Sequence, residues 1–398
     1  MTAGISAGGP AGPAALRRHN LGLVLSALRA GSLSRAELAA RTGLTRATVA
    51  SLVEPLLDGG ILAEQTAAPR GVGRPSRPLR FHDRGPVALG VAIEVDGLAA
   101  AVVDLAGRVV AEVGRDGDNR DQDPDLLLAR AGELAGELGD RVGRRVLGAG
   151  LAVPALLGDG AGGAGEIGGD GGDGGAVVLR APNLPALIGT RPGPALAAAL
   201  GVPVTVENEA TLGALAHLGV APHFVYLSAG IGIGGGVVIG GRIFRGVRGL
   251  AGELGHVVVE RDGPRCGCGG RGCVEQYAGR AALLLDAGLP DIPALHEALH
   301  AGDRRAAAAV RRAGSALGVA LTSVVNVLDV PTVVLGGDFA ELADALTPAL
   351  ATELRTRSLH PEPLLILPSE LGGSAAIRGG AQLVLERTLR EPELLTSA

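Results

Sequence analysis

Apolar residues recur at helical spacing between Leu16 and Arg29 (Leu21, Val24, Leu25, Leu28), and Gly31 closes that run. Ser34-Arg-Ala-Glu37 then has the form of a capping box and predicts a short helix over Arg35–Arg41. Thr42-Gly43-Leu44 is a tight turn, after which Thr45 can cap a third helix from Arg46 to Leu57, with Leu44, Val49, Leu52 and Val53 turned inward. Pro55 should kink or shorten that helix. Ile61–Glu64 and Leu79–His82 predict two paired strands, and Arg70 to Pro78 between them mixes Arg with Gly and Pro. Two short helices on a Gly turn, followed by such a hairpin, predict a winged helix-turn-helix over residues 15–84. In that motif the second helix offers its N-terminal side chains to the major groove. The candidate DNA contacts are therefore Ser34, Arg35, Thr45, Arg46, Thr48 and Ser51, with Arg74 at the tip of the wing.

Arg84-Gly-Pro86 marks a boundary, and the pattern beyond it changes. Val87–Val95, Ala99–Asp104 and Val109–Val113 predict a strand meander, Asp125–Val142 an amphipathic helix and Val146–Val153 a further strand. Gly158–Gly175 is low in complexity and predicts a disordered loop. Helix 193–200 and strand 202–206 deliver Glu207-Asn208-Glu209, and helix 210–218 follows. Strand 224–227 leads into a glycine loop over 229–236 and a strand at 237–239. Helices at 278–287, 292–301 and 304–328, strands at 332–335 and 364–367, and a helix over 373–390 complete the chain. A meander followed by alternating helices and strands is an α/β pattern.

Charge sharpens the division. Residues 1–84 hold eleven Arg against five acidic residues, a balance of +6 in a chain whose formal net charge is −5. A basic head on an acidic body implies that nucleic acid meets the head alone. With no Trp, two Tyr and four Phe, the cores must be built from Ala, Val and Leu. The N-terminus lacks a charged segment followed by an apolar one, and the most apolar run, Ala313–Leu328, is short for a membrane span. No membrane partner is expected.

All three cysteines fall within eight positions, in Cys266-Gly-Cys268-Gly-Gly-Arg-Gly-Cys273-Val-Glu275, with nine residues between this run and Glu253-Leu-Gly-His256. An odd number of cysteines used in one cluster is no disulfide framework, so a reducing cytoplasm is expected. Three thiolates and one imidazole suit a closed, structural Zn²⁺ site, with His256, Cys266, Cys268 and Cys273 as ligands. Packing of the thiols as ordinary core hydrophobes fits poorly with a Gly- and Arg-rich segment. Glu253 and Glu275 are surplus to such a site and point to a polar pocket beside it.

These motifs, Glu253-x-Gly-His256, the Cys266-to-Glu275 signature and Glu207-Asn208-Glu209, together with Ser34–Val49 and Gly73-Arg74-Pro75, resemble the ROK family of repressors, open reading frames and kinases, and specifically its winged-helix repressor branch. The resemblance implies an actin-like, sugar-kinase (ribonuclease H-like) body in two α/β lobes, 86–200 with the C-terminal helix 374–391, and 201–373 with the zinc motif. It implies that Asn208, Glu253, His256 and Glu275, joined by Asn183, touch sugar hydroxyls, and that His256 gives one ring nitrogen to zinc and the other to the ligand. Kinases of this family carry Asp-x-Gly-x-Thr at the first strand turn, where this chain has Ala92, Glu94 and Asp96, and Gly-Thr-Gly where it has Gly230-Ile231-Gly232. Glu209 stands at the position of their catalytic Asp and is carried as a ligand-binding candidate, with no catalytic residue expected. The reading is a sugar-responsive transcriptional regulator, dimeric or tetrameric on operator DNA, with a silent kinase body. The alternative is an ATP-dependent sugar kinase with a DNA-binding head.

Overall fold

The computed structural model describes residues 12–65, 77–158, 175–359 and 362–395. Arg74 with the wing tip, and the core of the glycine-rich stretch 158–175, lie outside the described residues.

The head is built from α1 (Pro13–Arg29), α2 (Arg35–Thr42), α3 (Arg46–Asp58) and the antiparallel pair β1 (Leu62–Glu64) and β2 (Leu79–Phe81). Ser34 and Glu37 form the expected reciprocal cap, and Gly43 ends α2 at φ 74°, a left-handed conformation that favours glycine. Thr45 caps α3. Pro55 does not shorten this helix, which runs on to Asp58. It lies on the exposed face together with Ser51, the residue whose carbonyl loses its helical donor, so water can satisfy that oxygen. Val24, Leu25, Leu28, Leu38, Val49, Leu52, Val53 and Leu79 form the core of the head.

The body follows as β3 (Val87–Glu94), β4 (Gly97–Asp104), β5 (Val109–Asp116), α4 (Pro124–Val142), β6 (Val146–Val153), a β7–β8 hairpin (Leu156–Gly158, Val177–Arg180), α5 (Pro192–Leu200) and β9 (Val204–Asn208). Five of these strands make a sheet in the order β5-β4-β3-β6-β9, with β3, β6 and β9 parallel. β9, beyond residue 200, hydrogen-bonds to β6 and completes this sheet.

The second lobe opens with α6 (Glu209–Ala216), β10 (Phe224–Ala229), β11 (Ile233–Ile239) and β12 (Arg242–Ile243). It continues through α7 (Glu275–Ala278), α8 (Arg280–Ala287), α9 (Ile292–His300), α10 (Arg304–Leu328), β13 (Thr332–Gly337), α11 (Asp338–Glu341), α12 (Ala343–Arg357) and β14 (Leu365–Pro368). Its sheet runs β12-β11-β10-β13-β14, the same plan as the first. Gly234, Gly235 and Gly236, expected in a loop, are strand residues of β11. A Cβ on them would come within 2.6 Å of Ala210 Cβ, 2.5 Å of Leu254 Cδ1 and 2.6 Å of Ala214 Cβ, so close packing accounts for the glycines.

Helix α13 (Ala375–Arg390) joins the parts. It lies against β3 and β6 of the first lobe, α6 of the second and α1 of the head. A Cβ on Gly90 would sit 1.6 Å from the Ile377 carbonyl oxygen, and Arg29 on α1 donates to Gln382 Oε1 at 2.5 Å. Among the described residues no helix is long and apolar enough to cross a membrane.

Candidate functional site

The segment between β12 and α7 folds into a knot held by backbone bonds, Cys266 N–H to Gly270 O (3.0 Å) and Val259 N–H to Gly272 O (2.8 Å). Gly272 has φ 66°, and any Cβ there would strike the Glu260 carbonyl at 1.6 Å. The knot brings one donor atom each from His256, Cys266, Cys268 and Cys273 within 4.8 Å of one another. Cys268 Sγ and Cys273 Sγ are 3.6 Å apart, and Cys266 Sγ is 3.7 Å from His256 Nδ1. Tetrahedral ligands at zinc distances stand about 3.5–3.8 Å from each other, so this donor set fits a four-coordinate metal. Burial, and then the two neighbouring thiols, raise the Cys273 thiol above the ordinary value, as expected where would-be thiolates crowd together.

With Nδ1 facing the sulfurs, His256 turns Nε2 toward Glu253 Oε2, 3.8 Å away. Glu275, at the start of α7, accepts from the backbone N–H of Ile233 at 3.0 Å and stands 3.6 Å from Cys266 Sγ. It therefore links the metal-type knot to the glycine turn between β10 and β11. A Cβ at Gly232 in that turn would meet Glu275 Oε2 at 2.6 Å, so a side chain there would push that carboxylate aside. Asn208 ends β9 and caps α6, its Oδ1 accepting from Ala210 and Thr211 N–H and its Nδ2 donating to Ala155 O at 3.2 Å. One Nδ2–H remains for another acceptor.

These residues border a cleft of about 610 Å³ between the lobes. Asn183, Asn208, Glu209, Glu253, His256 and Glu275, the six ligand candidates from the sequence, all line it. So do Glu94 and Asp96 of the β3–β4 turn, Gly230 to Gly232 of the β10–β11 turn, and Arg280. The Glu209 carboxyl is pushed up to about 7 by burial, reinforced by Glu94 and Asp96. Glu94 is raised for the same reasons, burial first and then Asp96, with Arg280 opposing.

Sequence reasoning missed Arg280. Its Nε and Nη2 grip Asp338 at 2.6 and 2.9 Å, and its Nη1 crosses to Asp96 at 3.0 Å, joining the second lobe to the first. Asp96 and Arg280 are 184 positions apart, and no local motif marks the pair. Arg245, on the segment after β12, makes a second connection to the buried Glu207 on β9.

A family model described as the ROK family matches residues 88–387. This chain belongs to the ROK family. The xylose repressor of Bacillus subtilis (strain 168) is similar to it at 27% identity over 387 residues, covering 92% of this chain and 94% of that one. Among solved structures, a ROK family transcriptional regulator homologous to the Escherichia coli Mlc protein matches with TM-score 0.76 and 25% identity, over 96% of this chain and all of that one. A ROK family glucokinase from Streptomyces griseus, solved with glucose and AMPPNP, matches with TM-score 0.64 and 25% identity over 75% of this chain and 98% of the kinase. The two regulators extend over nearly the whole ROK chain, whereas the kinase matches a length about that of the body alone.

In the head of this ROK protein, Thr45, Arg46 and Ser51 are exposed on the N-terminal half of α3. Thr45 Oγ1 and Thr48 Oγ1 lie 2.8 Å apart, and Ser51 donates to the Thr48 carbonyl. Ser34 departs from the expected outward role: it is 7% exposed, and its hydroxyl caps α2. Arg35 is drawn to Glu64 on β1 at 2.7 Å.

Proposed function

We propose that this protein is a sugar-responsive, DNA-binding transcriptional repressor whose kinase-like body senses a sugar without phosphorylating it. The observation that carries the reading is the contrast along one cleft. At one end, Glu253, His256 and Glu275 are assembled around an intact His/Cys₃ cluster; at the other, Glu94 and Asp96 stand where the family's kinases place small phosphate-binding residues. Acids and amides suit a ring of hydroxyls, which both donate and accept. Carboxylates at the phosphate position repel a triphosphate, and Arg280, committed to Asp338 and Asp96, is not available to hold one. Similarity to a xylose repressor over 92% of this chain supports the same reading.

Zinc, held by His256, Cys266, Cys268 and Cys273, would supply structure: it fixes the imidazole, and through Glu253 the face presented to the sugar. Arg46, Thr45, Thr48 and Ser51 would read operator bases, and Arg35 and Arg74 would neutralise phosphates. Two copies would place two heads on a palindromic site. Closure of the cleft on a sugar shifts the lobes against α13, and α13 carries α1. The ligand moves this equilibrium only by its differential affinity for the two states. Incubation of the protein with ATP, Mg²⁺ and a panel of pentoses and hexoses tests the silent body: no phosphorylated sugar is expected, while at least one sugar raises the melting temperature. Steady production of sugar phosphate would make it a kinase.

A further inference from the structure

Sugar sensing accounts for the carboxylates beside the metal-type knot but not for those at the β3–β4 turn. The charges in the cleft fall into two groups. Glu253 feels His256, Glu275 and Arg180, while Glu209 feels Glu94 and Asp96. In the second group the one guanidinium, Arg280, has both nitrogens of its fork on Asp338 and its third on Asp96. The side chains of Glu94 and Glu209 have no hydrogen-bond or ion-pair partner among the described residues, and both border the open cavity. Two unpartnered, part-buried carboxylates beside a third are costly in a fold unless something cationic arrives. Across the whole cleft, seven described carboxylates face two guanidiniums.

We propose, on the basis of the sugar-sensing reading above, that the ligand is an aminodeoxy sugar whose ammonium group sits among Glu94, Asp96 and Glu209. The hydroxyl-bearing remainder of the ring lies toward Asn183, Asn208, Glu253 and Glu275. An ammonium has three donors and no acceptor, which matches a ring of acceptor-only groups. A phosphorylated sugar is excluded by the same carboxylates. In the empty cleft Glu209 holds its proton to near neutral pH, which reduces the repulsion from Glu94 and Asp96. Binding of the cation releases that proton. Burial sets most of that rise and Glu94 and Asp96 on the first lobe add to it; Arg280 binds Asp96 and opposes the rise at Glu94, and Tyr226 on β10 feels the Glu209 charge.

Calorimetry on the full-length, zinc-loaded protein decides. Glucose, galactose and mannose are each compared with their 2-, 3- and 6-aminodeoxy analogues and their 6-phosphates. The expected result is an amino analogue bound at least tenfold more tightly than its parent, with net proton release near pH 6.5 and no binding of the phosphates. Glu209→Gln and, separately, Glu94→Gln should each cut that amino-over-parent ratio at least tenfold. Two variants guard against one misfolding. Parent sugars bound with less than a tenfold amino preference would overturn this inference and leave the sugar-sensing reading standing. Tightest binding of a 6-phosphate would do the same. Stabilisation by Mg²⁺ or Ca²⁺ alone, lost in Glu209→Gln, would make the cluster a metal site instead. Binding of no sugar of any class would sink both readings.

Discussion

The two lobes are built on the same strand order, and each brings the turn of its first hairpin to the cleft. In the first lobe that turn is Glu94-Val95-Asp96; in the second it is Gly230-Ile231-Gly232. Kinases of the family carry Gly-Thr-Gly at this second turn, and the structure gives the glycines here a packing reason to be there. Gly232 leaves space for Glu275, whose carboxylate takes the Ile233 N–H. The acidic turn has no such packing demand: Glu94 and Asp96 direct their charge into open space and onto Arg280. A glycine loop is therefore poor evidence for a nucleotide, and the chemistry of the opposite turn is the better witness.

The comparison can be broken first at the glycine turn. Gly232→Val pushes the Glu275 carboxylate off the Ile233 N–H, and we expect a loss of about 1–3 kcal/mol in stability, with sugar binding reduced beyond detection. Denaturant melts and calorimetry measure both; near-normal binding would mean that the glycines serve something else. Next is Cys268→Ser. Zinc should fall from about one per chain to a small fraction and sugar response should vanish, while DNA binding stays within about threefold, because the knot and the head are separate units. Metal analysis and operator binding check this, and retained zinc with retained response contradicts it. In the head, Arg46→Ala should cost about 1–3 kcal/mol and relax sequence preference, whereas Arg74→Ala should weaken all sequences evenly and flatten the salt dependence. Footprints unchanged in both variants would refute the placement.

The smallest effect sharpens the acidic turn. Glu94→Gln with Asp96→Asn should let the Glu209 carboxyl fall below about 7, with burial still holding it above the ordinary carboxylate value, as carboxyl NMR titration would record. The sign for stability follows. A carboxyl raised from an ordinary value of 4.5 to about 7 in the fold favours its protonated form, so stability is lost as pH rises from 4.5 through 7. Glu209→Gln should flatten that fall, leaving the variant more stable than the parent at pH 8 and no more stable at pH 4.

Much of this was legible in the chain. Periodicity and caps marked the three head helices, and the spacing of Cys266, Cys268, Cys273 and His256 gave the metal-type knot because its donors are close in sequence. What was not legible depended on distance or packing. Arg280 meets Asp96 across 184 residues, and β9 joins a sheet that begins at residue 87. Gly234 to Gly236 read as loop because glycine lacks strand propensity, but pairing with Tyr226, Leu227 and Ser228 of β10 makes them strand, while Ala210, Ala214 and Leu254 leave room only for glycine. Pro55 misled for the opposite reason: the rule against helix proline weakens where solvent can satisfy the orphaned carbonyl.

The account stands or falls on coupling between the zinc-walled cleft and the head. Operator affinity, measured by fluorescence anisotropy while the best-binding sugar is titrated in with ATP and Mg²⁺ present, tests it most directly. The account predicts a change of tenfold or more in DNA affinity, saturating with the occupancy of the cleft and accompanied by no phosphorylated product. An unchanged DNA affinity at full occupancy, or release that tracks the formation of sugar phosphate, would contradict it.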